Sequence, residues 1–490
     1  MNLKSILSFT ALFILFLGPH ALSEKSKTES LEMGRKQYES GNYSRALDIL
    51  SQTISSTSDA NIRNRAFYYQ GLSFFEMGLY YSSYLSFRNV LLNPDERFKE
   101  VYEKSIKNSV IIADKLNIVD RIGKVLEKMD SKLIPVSVTG LARYAMGVAK
   151  FESGQTADAE KSLKSVSPES QFYDKALYYL GILATKRKDY KEANFYFEKL
   201  VSVTQGKKDL YWLEELGRLN LARTAYSADN IEKSVELYSK FLSSSPYWLD
   251  VLLEASWPLM KMNDTAVSLG NLHTITSPFY RADLVGEAYI LRATILYKLC
   301  KYEEMRKDIS SFFVIYDPVI RAMQQETASL ASADGFFKAY QTKKGLNPSF
   351  MNFLSRDQGV QNSTRVLENL SEERSKLAGL SKNDQTQRMI AQVDELKAGI
   401  SREVGATIQK LHKRKLAELL EQREQANYLK VEVVTGEKEL IEGQKGLPAK
   451  RVVDVETTVA AGYHFWPYNG EYWEDELGTY IYTTESSCVN

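Results

Sequence analysis

Residues 178–200 read YYLGILATKRKDYKEANFYFEKL. Gly181 and Ala184 are small residues one turn apart, followed by the polar turn Lys186-Arg187-Lys188-Asp189, and Tyr190, Ala193, Phe197 and Leu200 then recur at helical spacing. The period predicts two helices folded back on one another, crossing closely where only a small side chain fits. One such hairpin cannot bury its own apolar face and needs a neighbour on each side.

The neighbours are present. Gly34, Tyr38, Gly41, Tyr43, Ala46 and Leu50 form one copy; Gly71, Phe74, Gly78, Tyr80, Ser83, Phe87 and Pro94 form another. Further copies hold Gly147, Gly154, Ala159, Leu163 and Pro168, then Ala222, Ala225, Ile231, Ser234, Tyr238, Phe241 and Pro246. A looser copy runs from Glu254 to Pro278, and the last has Ala293, Leu296, Tyr302, Met305, Ile309, Phe312 and Pro318. Gly34 to Ala293 spans 259 residues in seven steps, a mean period of 37, the length of two helices and two turns. Two units depart from the pattern. The one at 98–135 lacks the small residue, and Trp257-Pro258 inside a first helix predicts a kink.

These residues resemble the tetratricopeptide repeat family, most closely around Gly71 and Gly181. The resemblance implies an all-α, right-handed superhelix of helix pairs over 24–318 that binds proteins or peptides and does not catalyse. It also implies that first-helix residues line a groove, which places Tyr38, Phe75, Phe151 and Tyr226 one turn beyond the small residue and Tyr68, Tyr144 and Tyr178 one turn before it. Those rings either line the groove or pack between neighbouring helices, since tyrosine serves both ends.

Lys4, the apolar run Ile6–Leu17, Gly18-Pro19 and Ala21-Leu22-Ser23 have the layout of a cleavable signal peptide over 1–23. The run is too short to span a bilayer. Export to the periplasm is therefore expected, with no integral span in the mature chain. Without those residues the chain carries 62 basic and 62 acidic groups, a balance that gives nucleic acid no electrostatic footprint.

After a connector at 319–360, residues 361–427 are rich in Glu, Lys, Arg, Gln and Leu. A turn at Ser381-Lys382-Asn383-Asp384 divides them into a long helical hairpin. Its second arm carries Ile390, Val393, Leu396, Ile400, Val404, Ile408 and Leu411 on one face, with Gly399 and Gly405 weakening it. That face pairs within the hairpin or with another chain as a coiled coil. Lys410, His412, Lys413, Arg414 and Lys415 form a basic cluster that reads as a solvated helix face.

Residues 428–490 form an aromatic and acidic C-terminal segment, in which Val431, Val433, Val452, Val453 and Val455 favour extended structure. Its aromatic run, 465–480, either pins the tail to the rest of the chain or docks a partner through Trp466, Tyr472 and Trp473. Glu471, Glu474, Asp475 and Glu476 lack a histidine at ligand spacing, so no metal is expected. No phosphate-cradling loop, nucleophile elbow or His-Glu-x-x-His pair occurs, and no catalytic or cofactor-binding residue is assigned. Cys300 and Cys488 either pair in an oxidising compartment or remain, respectively, a small buried residue and a terminal thiol.

The closing run, with Leu299-Cys300-Lys301-Tyr302 and Tyr316-Asp317-Pro318, resembles secreted tetratricopeptide repeat proteins of deltaproteobacteria, including those of adventurous gliding motility. That resemblance implies a periplasmic scaffold in a cell-envelope complex, associated with the outer membrane through partners. The alternative is an outer-membrane-assembly or cell-wall factor that grips client proteins.

Overall fold

The computed structural model describes residues 19–92, 94, 96–380, 383–443, 464, 468, 470–482, 486 and 488. Among them the chain is all-helical, with no strand. The apolar run 6–17, Val452, Val453, Val455 and Trp466 lie outside the described residues. No described helix is long and apolar enough to cross a membrane.

The chain divides into two compact units, 1–152 with 369–395 and 153–368 with 396–490. In the first, helices pair as α1 (Pro19–Glu39) with α2 (Tyr43–Ser56), α3 (Ala60–Glu76) with α4 (Tyr80–Leu92), and α5 (Lys99–Lys115) with α6 (Val119–Leu126), followed by α7 (Thr139–Glu152). The second holds α8 (Thr156–Lys164), then the pairs α9 (Tyr173–Lys186) with α10 (Tyr190–Thr204), α11 (Tyr211–Ser227) with α12 (Ile231–Tyr238), α13 (Trp248–Lys261) with α14 (Thr265–Ile275), and α15 (Gly286–Lys298) with α16 (Tyr302–Leu330). Two short helices follow, α17 (Ala333–Thr342) and α18 (Pro348–Arg356). The helices α19 (Gln358–Ala378) and α20 (Asp384–Gly443) contribute residues to both units.

Three hairpins are locked by a ring or branched side chain of the second helix seated on a glycine of the first. A Cβ on Gly71 would meet Phe87 Cε1 at 2.9 Å, and one on Gly34 would meet Leu50 Cδ2 at 2.7 Å. Gly181 stands in the same relation to Phe197. Each turn is made by one residue at positive φ: Gly41, Gly78, Asn117, Gly154, Lys188, Asp229, Asn263 and Cys300. The N–H groups of that residue and the next return to the end of the first helix, as in Cys300 N to Tyr297 O at 2.9 Å and Lys301 N to Leu296 O at 2.9 Å. Only the glycines announce this geometry in sequence. In several turns the following residue is an Asx cap for the second helix: Asp189 on Glu192 N, Asn230 on Lys233 N and Asp264 on Val267 N.

At α4, where that cap is missing, a distant residue replaces it. Leu79 precedes α4, and Glu373 of α19 accepts from Tyr81 N at 2.9 Å, Ser82 N at 2.7 Å and Ser82 Oγ at 2.7 Å. Burial pushes the carboxyl above its usual range, against the pull of these donors. Glu373→Ala would strand buried donors at a helix start. The expected loss is about 2 kcal/mol in urea unfolding, with Glu373→Gln, which keeps an acceptor, losing less.

Pro318 lies inside a helix. α16 continues to Leu330 because Tyr316, Val319, Ile320 and Met323 extend its buried stripe. The carbonyl left without a donor belongs to Val314, which is 73% exposed, so water can serve it. Residues 319–360 hold the end of α16, α17, α18 and the start of α19. In the unit at 98–135 a small residue serves the next helix instead: Gly123 of α6 lies against the Ala145 carbonyl and Ala149 Cβ of α7. Val431 and Val433 are helical, because α20 runs on to Gly443 with Val433 buried and Gly436 set against the Tyr302 ring.

The stripe on α20 has a third solution besides pairing within the hairpin or with another chain. From Val404 onward it is covered by α16 to α18. Gly405 fits against the Ala333 carbonyl, and His412, fully buried between Phe336 and Phe350, bonds Glu326 Oε2 at 2.8 Å. Gly405 thus permits close packing, whereas Gly399 has nothing near its Cβ position.

Candidate peptide-binding cleft

On α15, Glu287, Ile290, Leu291 and Thr294 repeat at steps of three, one and three, which sets them on one helix face. On α20, Glu418, Glu421, Gln422, Gln425, Tyr428 and Leu429 do the same. The two faces, with Trp257 of α13, enclose an open cleft of about 740 Å³. Gly286 lets the helices converge at one end: a Cβ there would collide with Gln422 Oε1 and approach Leu419 Cδ2 to 3.3 Å.

The cleft has a layered chemistry. Ile290, Leu291 and Leu429 are buried and form its floor. Trp257, 36% exposed, and Tyr428, 65% exposed, supply aromatic surface above it. The Trp257 indole is held in place by donating Nε1–H to Glu287 Oε1 at 3.0 Å. Glu287, Glu418, Glu421 and Glu424 bring four carboxylates, and no lysine or arginine is among the described lining residues. Glu418 is partly neutralised by Lys415 at 2.7 Å and Arg414 at 3.6 Å. Such a surface favours a cationic segment with apolar anchors.

The aromatic residues singled out in sequence have separate local surroundings. Tyr68 and Tyr144 are buried and therefore unavailable to a partner; Tyr68 packs on Tyr69 and Phe87, and Tyr144 Oη donates to Asp114 Oδ1 at 3.4 Å. Tyr38, half-buried, packs with Tyr43 and Tyr69, and Phe75 packs on Tyr80. Tyr178 meets Tyr179 edge-on, Phe151 is half-buried, and Tyr226 lies under Lys261 Nζ at 4.7 Å. The cleft was missed because its residues come from three separated stretches. The available signal was the acidic and aromatic residues between 418 and 428, which continue and flank the apolar stripe of the same helix.

The tail grips α14. Tyr472 stacks on His273 at 4.6 Å, with Tyr468 and Tyr480 edge-on at 4.8 and 5.0 Å. Gly478 N donates to Thr274 Oγ1 at 2.8 Å, and Tyr482 N to Ala266 O at 3.1 Å. Burial, reinforced by the charge of Arg292, pulls the His273 imidazole down to about 3, so it is neutral in this cage. Arg292 is itself paired with Asp308 at 3.2 Å and lies over the Tyr482 ring. Trp473 is 52% exposed. Cys300 and Cys488 are joined by a disulfide. Among the described residues no cluster of His, Cys, Asp or Glu could hold a metal ion.

The fold and cleft define a helical-repeat protein with a surface suited to a peptide. Residues 175–203, spanning the α9–α10 hairpin, match the tetratricopeptide repeat model. Solved structures similar to this chain include Naa15/Naa10 bound to HypK-THB, at 13% identity over 77% of this chain and 62% of that one, TM-score 0.32. The APC/C hetero-tetramer Cut9-Hcn1 aligns at 11% identity over 84% of each chain, TM-score 0.25. Yeast Tom70 aligns at 12% over 84% of this chain and 96% of that one, TM-score 0.23. No curated protein sequence matches.

Proposed function

We propose that this protein is a non-catalytic scaffold that docks a basic, amphipathic segment of a partner protein in the cleft between α13, α15 and α20. The observation that carries the reading is the cleft's construction, an apolar floor, two exposed aromatics and four glutamates in one open cavity. Lys or Arg side chains of the partner meet the rim while apolar residues reach Ile290, Leu291 and Leu429. The setting proposed is an envelope complex outside the cytoplasm, of the kind that gliding-type secreted repeat proteins serve. The signal-like N-terminal sequence and the Cys300–Cys488 disulfide support that compartment.

The test is photocrosslinking in cells with benzoylphenylalanine at Tyr428, or at Trp473 as a comparison, followed by envelope isolation. A defined partner captured from Tyr428 through a Lys- or Arg-rich segment is the expected result. Absence of any adduct at Tyr428, or adducts confined to acidic segments, would overturn the cleft as the docking site.

A further inference from the structure

Cys300 occupies a position that the other turns give to glycine, asparagine, aspartate or lysine. Its φ is +53°, a left-handed conformation that a cysteine gains nothing from adopting. What the position provides is direction, since the side chain leaves the α15–α16 turn and reaches Cys488. Both cysteines are half-exposed, so a reductant can approach.

The surface beneath the tail is shaped for an extended segment. A Cβ on Gly270 would land on the Tyr480 carbonyl, so α14 presents bare backbone where the tail crosses it. Gly478, which makes a turn at φ +87°, in turn lies against the Trp248 ring.

 Gly470, at φ +101°, and Gly478 both lie in the left-handed region that glycine tolerates. Around these glycines, Tyr468, Tyr472 and Tyr480 enclose His273, and Tyr482 covers the buried Arg292–Asp308 pair.

Against this fit stands the ordering of the tail. Residues 470–482 are exposed or half-exposed, and two of their backbone N–H groups donate to α14, one to the Thr274 hydroxyl and one to the Ala266 carbonyl. Fixing each residue opposes docking through lost backbone freedom. The disulfide offsets this by keeping the tail at high effective concentration over its site.

We propose that this face of α14 and α15 is a docking surface for an extended, tyrosine-bearing segment, that the chain's own Tyr468 and residues 470–482 are its resident occupant, and that reduction of Cys300–Cys488 by a dithiol vacates it. The dithiol's thiolate attacks Cys488 Sγ, the bond between the two protein sulfurs breaks, and Cys300 leaves as a thiolate that takes a proton. The second thiol then attacks the mixed disulfide and releases Cys488 as a thiol. The dithiol leaves as its own disulfide, having supplied two electrons and two protons.

The test is hydrogen exchange of the full chain, read in peptides covering α14 and residues 470–482, before and after dithiothreitol. Two variants accompany it. Cys300→Asn keeps the turn, since Asn117 and Asn263 already occupy that conformation, and Cys488→Ser leaves the turn untouched. Reduction and both variants are expected to speed exchange at least tenfold in both regions, with α9 and α10 unchanged. A labelled synthetic peptide of residues 468–482 should then bind the reduced chain and not the oxidised one. Equal exchange in oxidised and reduced protein would overturn the proposal, as would free thiols at both cysteines in non-reduced protein.

Discussion

Glu421→Lys with Glu424→Lys is expected to weaken binding of a labelled basic amphipathic peptide by about 100-fold at low salt, because like charges then face each other across the cleft rim. Both side chains are exposed on α20, so the helix should keep its structure. Circular dichroism of the variant should match the parent. Fluorescence anisotropy at increasing salt gives a second reading, since the parent's affinity should fall with ionic strength while the variant's should not. Equal affinity in the two proteins would remove the carboxylates from the docking argument.

Gly270→Val should strip the tail from α14. The tail's Tyr480 carbonyl occupies the space that the new side chain needs, while valine is a better helix former than the glycine it replaces. The helix should therefore survive as the clasp is lost. Limited proteolysis is expected to cut within 470–482 at least tenfold faster, with the disulfide still holding the released fragment. Unchanged cleavage would mean that the backbone accommodates the residue by shifting.

Much of the fold is legible from local chemistry. Small residues such as Gly71 and Gly181 mark helix crossings because a ring must sit on them, and Phe87 and Phe197 follow at the matching offset. The turns are legible only in part. Glycine advertises a left-handed residue at 41, 78 and 154, but Lys188, Asp229 and Cys300 adopt the same conformation under the demand of the hairpin. Pro318 and the valines at 431 and 433 mislead for a related reason: intrinsic preference yields to a buried stripe that continues past them.

The candidate surfaces were less legible. Tyr68 and Tyr144 sit at positions that suggest a groove, yet packing buries them. The cleft depends on α20 meeting α13 and α15, residues more than 120 positions apart. By itself the sequence determined the helix periods, the repeat length and the small-residue crossings, because each arises from side chains a few residues apart. Tertiary structure alone decided which face α20 covers, that Glu373 caps α4, and where four glutamates and two aromatics converge. Those outcomes depend on which distant surfaces exclude water together, and no local spacing encodes that choice.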